Sequence, residues 1–315
     1  MAKKTTTAKV SDNAGNEEVK DNGELLKQVE DLTGELERCK EECERVTGEF
    51  MEWKQKYDEL ISSSMPNFEP DPYLVVIPYK ASEAQGDELM LAIRGWMTHF
   101  KEKFSIVVVG DVDELEFPEV SGGCIEIGVI PHECKTDNPP LDVVAKLLTV
   151  VSEFPEREGL IVTNDDIYPV RDFDVSVVKL LKVDGLLTDA KRCGELYGIN
   201  RGNTLKVLQK EGLPVFDYGC HLPVFYEVEK LISLIDKYDL SKNAMLIGSL
   251  YFNLYYSTHV PTRLDFDRDN LKVIVGRKNA DWKLLRSFIR DGKIFVNNSV
   301  EGWSEEMEKV ISEHV

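Results

Sequence analysis

The chain has 315 residues, with 38 basic against 57 acidic side chains and a formal charge of −19. That length accommodates one large domain or two ordinary ones with ample core. The acidic balance argues against a broad phosphate-binding surface, which needs clustered lysine and arginine, and leaves room only for a local basic groove. Six cysteines, at 39, 43, 124, 134, 193 and 220, form no CxxC pair and no regular framework. Such usage fits reduced thiols in a cytoplasmic protein better than a disulfide scaffold. Residues 1–24 contain no apolar h-region and no later apolar run approaches 18 residues. Neither a signal peptide nor a membrane span is expected, and the chain reads as soluble and cytoplasmic.

Residues 1–23 are small and polar, the composition of a disordered tail. From 24 to 62 the pattern changes. Leu25, Val29, Leu32, Leu36, Cys39, Cys43, Val46, Phe50, Trp53, Tyr57 and Leu60 follow a 4-3-4-3 spacing without interruption. This seam predicts a coiled coil and therefore a homo-oligomer. The cysteines within it read as small seam residues rather than redox groups. Three prolines in 62–72 break the pattern, so 63–72 is a linker.

A second domain, 73–315, opens with an α/β rhythm. Strands are expected at 73–79, 104–109, 125–130 and 159–163, and helices at 84–103 and 141–153. The remainder reads as helical, over 174–182, 188–197, 202–211, 227–238, 241–256, 280–290 and 304–313. Short extended pieces intervene at 214–217, 272–276 and 293–297. This order predicts a largely parallel sheet, in which ligands sit beyond the carboxyl ends of the strands. Lys80, Asp111 and the run Asn164-Asp165-Asp166 all fall at such ends.

Two adjacent carboxylates behind the apolar run Gly159-Leu160-Ile161-Val162 have two readings. One is a turn, in which Asn and Asp satisfy their own backbone. The other is a site for Mg²⁺ or Mn²⁺, hard cations that prefer oxygen ligands and bridge a substrate diphosphate. The segments LVVIPYK, SIVVVGD and LIVTNDDIYPV together resemble the nucleotide-sugar half of GT-A-fold glycosyltransferases. Asn164-Asp165-Asp166 stands where that family has its DxD motif. The chain is also similar, over about 75–313, to the Stealth family of sugar-phosphate transferases of polysaccharide synthesis. That likeness rests on the NDD element and on Cys220-His221-Leu222-Pro223, a His-x-Pro followed by a helix.

The resemblance implies a GT-A-like (Rossmann-like) domain with a helical C-terminal half. It would transfer a sugar from a nucleotide-sugar donor to a hydroxyl acceptor, a glycan or another macromolecule. Asp165 and Asp166 would hold Mn²⁺ or Mg²⁺, with His221 as a further metal ligand or catalytic base and Asp166 as a catalytic residue. Pro78, Lys80, Asp111, Lys135, Asn164 and Asp165 would contact the nucleotide sugar. The arginine that the Stealth family carries between its His-x-Pro helix and a later Tyr-Phe block has no counterpart in 241–257, which contains no Arg. Transfer of the sugar itself is therefore placed ahead of sugar-phosphate transfer.

Lys80 reads equally as a surface lysine, and Lys135 as part of a solvated loop. A third class of reading remains open. In GELYGINRGNTLKVLQKEG, residues 194–212, a turn at Gly198-Ile199-Asn200 would separate two helices carrying Arg201, Lys206 and Lys210. That is a helix-turn-helix pattern, so the alternatives to an enzyme are a non-enzymatic coiled-coil adaptor whose globular part binds a partner and a coiled-coil, helix-turn-helix protein binding nucleic acid.

Overall fold

The computed structural model describes residues 14–64, 72–113, 115–190, 193–265 and 268–315. The chain divides into two units, Met1–Pro70 and Asp71–Val315. In the first, helix α1 (Ala14–Ser64) spans 51 residues, about 76 Å at 1.5 Å per residue. It starts earlier than the expected coil, taking in residues assigned above to the tail. Residues 1–13 of that tail and 65–71 of the linker lie outside the described residues. The seam residues Val29, Leu32, Leu36, Val46, Phe50 and Trp53 are all exposed.

Gly34 and Gly48 interrupt α1 with no atom within 4 Å of a built Cβ. Each costs helix propensity without serving a packing purpose. Gly34→Ala and Gly48→Ala should therefore each stabilise the helix by about 0.8–1 kcal/mol, read as a rise in the midpoint of its thermal unfolding by circular dichroism.

The second unit is mixed α/β with a mostly parallel central sheet. Its first half runs β1 (Tyr73–Tyr79), α2 (Glu88–His99), β2 (Phe104–Gly110), β3 (Cys124–Pro131), α3 (Pro139–Glu153), β4 (Gly159–Val162) and β5 (Ile167–Pro169). There follow α4 (Val175–Lys179), β6 (Lys182–Val183), β7 (Gly185–Leu186), α5 (Glu195–Lys210), β8 (Phe216–Asp217), β9 (Val224–Glu227) and α6 (Val228–Tyr238). The chain closes with α7 (Ile247–Tyr255), β10 (Thr262–Arg263), β11 (Lys272–Val275), α8 (Trp282–Asp291), β12 (Phe295–Asn298) and α9 (Glu305–Ser312).

The main sheet has the order β3-β2-β1-β4-β9. The first four strands are parallel and β9 is antiparallel on the β4 edge. The near-continuous apolar runs YLVVIPY and FSIVVVG suit strands covered on both faces. Alternate residues supply the two faces. Val75 and Ile77 pack with Leu89, Ile93 and Trp96 of α2, whereas Leu74 and Val76 pack with Val144, Leu147 and Val150 of α3. The two crossover helices thus cover opposite faces, and the strand order reverses between β1 and β4. A smaller sheet, β11-β12-β5, joins α2, α8 and α9 in a third core.

Three expectations are corrected. The helix expected at 84–103 is confined to Glu88–His99, because Phe100 turns extended and bridges to Phe173. The strand β9, within a stretch read as a loop before a helix, covers the edge of β4. Most importantly, α5 runs unbroken through Gly198-Ile199-Asn200, so residues 194–212 are not a helix-turn-helix. Asn200 is buried and its amide donates to Asn138 at 2.9 Å, which locks the supposed turn into the helix wall. Arg201 is likewise turned inward, against the buried Asp217 at 3.2 Å and the carbonyl of Leu186 at 2.7 Å. It is not displayed for phosphate. No helix among the described residues is long and apolar enough to cross a membrane.

Candidate functional site

The ladder of β4 continues one residue past the strand, where the Thr163 amide donates to the Val76 carbonyl at 3.0 Å. Asn164-Asp165-Asp166 then turns at the carboxyl edge of the sheet, directly beside the end of β1. This is the point where strand order reverses, the position at which open α/β sheets leave a crevice. The adjoining end of β2 is held close by Gly110, whose φ is +141° and whose added Cβ would lie 1.9 Å from the Tyr79 carbonyl oxygen. Only glycine fits there, and it explains the VVVGD sequence.

The crevice has a volume of about 250 Å³. Pro78, Lys80, Asn164, Asp165 and Asp166 line it, as the sequence suggested. Among the wall residues that were not anticipated are Glu88, Asp142, Lys146 and Asn298.

Its electrostatics are unbalanced toward negative charge. Burial, reinforced by the charges of Asp166 and Glu88, pushes Asp165 up to about 7. Burial and then Glu88 push Asp166 up to about 6. Oδ1 of Asp166 is buried with no hydrogen-bond partner. Glu88 is buried, which raises its pKa, while Asn298 donates to it at 2.6 Å and the Gln85 amide at 2.8 Å. Tyr168 in turn donates to Asn298 at 2.7 Å, fixing the amide. The buried cation of the site, Lys146, donates to Asp142 at 2.7 Å and to the Tyr79 carbonyl at 2.8 Å. It is thus already engaged, and Asp142 keeps a second buried oxygen, Oδ1, without a partner.

Such a set fits a hard divalent cation. Its donors are carboxylate oxygens, their charge is offset only in part by Lys146 and Lys272, and one oxygen has no hydrogen-bond partner. Asp165 and Asp166 are the residues that could hold such a cation. Among the described residues, however, no three His, Cys, Asp or Glu side chains converge as a metal-holding group. His221 in particular does not join the pair. It is exposed, in the left-handed region at φ 46°, and lines a neighbouring, mainly apolar cavity of about 310 Å³. Asn164, Pro139 and Val143 border both spaces.

The other candidates are more peripheral. Lys80 stands at the mouth, paired with Glu83 at 2.7 Å. Asp111 does not line the crevice; it accepts the Ala81 amide at 3.0 Å and so holds the chain leaving β1. Its charge, with those of Asp165 and Glu88, adds to burial in raising the Tyr79 hydroxyl. Lys135 is exposed on the loop before α3, whose Thr136 reaches the crevice instead.

Lys146 had a sequence signal. It shares the helical stripe of Val143, Leu147 and Val150, where a lysine is anomalous, and follows Asp142 by one turn. Glu88 and Asn298 had none, since only the tertiary fold brings them 210 positions together. No protein-family model matches the chain, and no curated protein matches it.

Proposed function

We propose that the chain is a metal-dependent glycosyltransferase of GT-A-like fold, moving a sugar from a nucleotide-sugar donor to a hydroxyl acceptor. The observation that carries this reading is the Asp165–Asp166 pair, with its unpartnered oxygen, at the switch point of a parallel sheet. Mn²⁺ or Mg²⁺ held there would neutralise charge developing on the nucleotide diphosphate leaving group. Lys80, at the mouth of the crevice, favours a diphosphate, while Lys146 on the wall stays paired with Asp142. Asn164 offers an amide to donor hydroxyls, and Asp111, which accepts the Ala81 amide, keeps the end of β1 in place beside the crevice.

His221, on the wall of the adjoining cavity, is assigned as base toward the acceptor hydroxyl rather than as metal ligand. A His base takes that proton most effectively near its ordinary titration range. No arginine lines the crevice among the described residues, which favours sugar transfer over sugar-phosphate transfer.

The test is donor hydrolysis without acceptor. Purified protein is incubated with a panel of UDP- and GDP-sugars and Mn²⁺, and free UDP or GDP is quantified. Release from one donor class, abolished by EDTA and restored by Mn²⁺, supports the reading. No release from any donor, with or without a glycan acceptor, would count against it. His221→Ala is expected to lower acceptor-dependent turnover by about 10²–10⁴-fold while leaving donor binding unchanged.

A further inference from the structure

We infer that α1 is the interface to a second copy of this chain, and that the two helices run parallel and in register. The inference rests on α1 alone and is independent of the proposed activity. Placed on a heptad, the seam has Val29, Leu36, Cys43 and Phe50 at a and Leu32, Cys39, Val46 and Trp53 at d. Leu32, Phe50 and Trp53 are 64%, 66% and 75% exposed. A single helix cannot cover such a stripe, and contiguous apolar surface of this kind marks an interaction site. Gly34 and Gly48 both fall at f, on the outer side, where they cost the seam nothing.

The flanking charges say what covers the seam. Across the central heptads the g row carries Glu35, Glu42 and Glu49, with Lys56 following at its end, and the e row carries Lys40 and Lys54. In a parallel, in-register pair, each g residue faces the e residue five positions later on the other chain. That sets Glu35 against Lys40 and Glu49 against Lys54, twice over by symmetry. An antiparallel pair would bring g against g and e against e, opposing Glu to Glu and Lys to Lys. The chain is therefore complementary to itself only in the parallel sense. Arg45 holds Glu42 and Glu49 at 2.5 Å in this structure, but these exposed contacts weigh little against the cross-chain pairs. Both chains then leave the coil at the same end, so their second units share a raised effective concentration for any one multivalent partner.

The two seam cysteines report orientation. In the parallel, in-register pair, Cys39 meets Cys39 and Cys43 meets Cys43. An antiparallel pair centred on the same region would bring Cys39 to Cys43. The experiment uses the full chain with exposed Cys193 replaced (Cys193→Ser), treated with diamide, which takes up the two hydrogens lost by each thiol pair. Crosslinks are read on non-reducing gels and located by peptide mass spectrometry.

The expected result is symmetric Cys39–Cys39 and Cys43–Cys43 bonds, with crosslinking retained when either cysteine alone is left by Cys43→Ser or Cys39→Ser. Sedimentation of unoxidised protein should show an oligomer whose dissociation constant rises at least about tenfold in Lys40→Glu/Lys54→Glu. Crosslinks confined to Cys39–Cys43, lost in both single-cysteine variants, would overturn the orientation. A monomer at about 50 µM chain would overturn the interface itself.

Discussion

Replacing Asp166 by alanine is expected to lower donor turnover by on the order of 10³-fold and, at the same time, to stabilise the metal-free protein at pH 8. Both effects have one cause. In the metal-free fold Asp165 and Asp166 are pushed up to about 7 and about 6, chiefly by burial. Their ordinary unfolded value is 3.8. Between those values the native state binds more protons than the unfolded chain. Stability is then fully present below about pH 4 and falls as pH rises through 6 to 7. The carboxylates must ionise where Lys146 and Lys272 offset their burial only in part.

Alanine at 166 removes one of these anions and the repulsion it exerts on its neighbour. The slope of stability with pH between 5 and 8 should flatten, by on the order of a kcal/mol or more over that interval. A divalent cation held by the pair would substitute for the protons, so its stabilising effect should be larger at pH 8 than at pH 5. Chemical denaturation at several pH values, with and without Mn²⁺, reads all three outcomes. Unchanged slope in Asp166→Ala, or Mn²⁺ stabilisation that is independent of pH, would contradict the assignment of these two carboxylates.

Lys146→Ala should be the most destabilising single change in the crevice, by about 3–5 kcal/mol. Lys146 is 1% exposed and Asp142 7%, so the pair is shut away from water. Removing the ammonium strands the Asp142 carboxylate, whose Oδ1 already lacks a partner, and also leaves the Tyr79 carbonyl without its donor. Breaking a buried pair from one side costs far more than replacing both partners. The double variant Lys146→Met/Asp142→Leu should therefore recover much of the loss. The urea midpoints of the single and double variants measure this directly. Equal destabilisation in both would show that packing, not charge, is what Lys146 contributes.

The first half of the second unit was legible because periodicity and burial coincide there. YLVVIPY and FSIVVVG are apolar on both faces and read as central strands, and the carboxylate turn directly follows the apolar run of β4. Of the site, sequence reached the strand ends, Pro78, Lys80 and Asn164-Asp165-Asp166, because those lie at predictable points of the topology. It misplaced Asp111, which instead braces a backbone amide, and it could not find Glu88 and Asn298. Their contact spans most of the second unit and leaves no local pattern.

The supposed helix-turn-helix failed for a different reason. Gly198 and Asn200 are weak helix formers, and read alone they suggest a break. Asn200 is nevertheless held by Asn138 across the fold, and Thr204 donates back to the Asn200 carbonyl at 2.9 Å, so tertiary contacts override propensity. The short strands β6, β7 and β10 were missed because two residues carry too little alternation to register.

The central claim is that the Asp165–Asp166 turn belongs to a metal-dependent nucleotide-sugar site. It is tested most directly by calorimetric titration of the full chain with UDP and with GDP, each with and without Mn²⁺, repeated on Asp166→Ala. Binding of one nucleotide that requires Mn²⁺ and is lost in the variant is the expected result. Binding of neither nucleotide under any condition, in a protein whose fold is intact by circular dichroism, would contradict the claim and return Asn164-Asp165-Asp166 to the status of a structural turn.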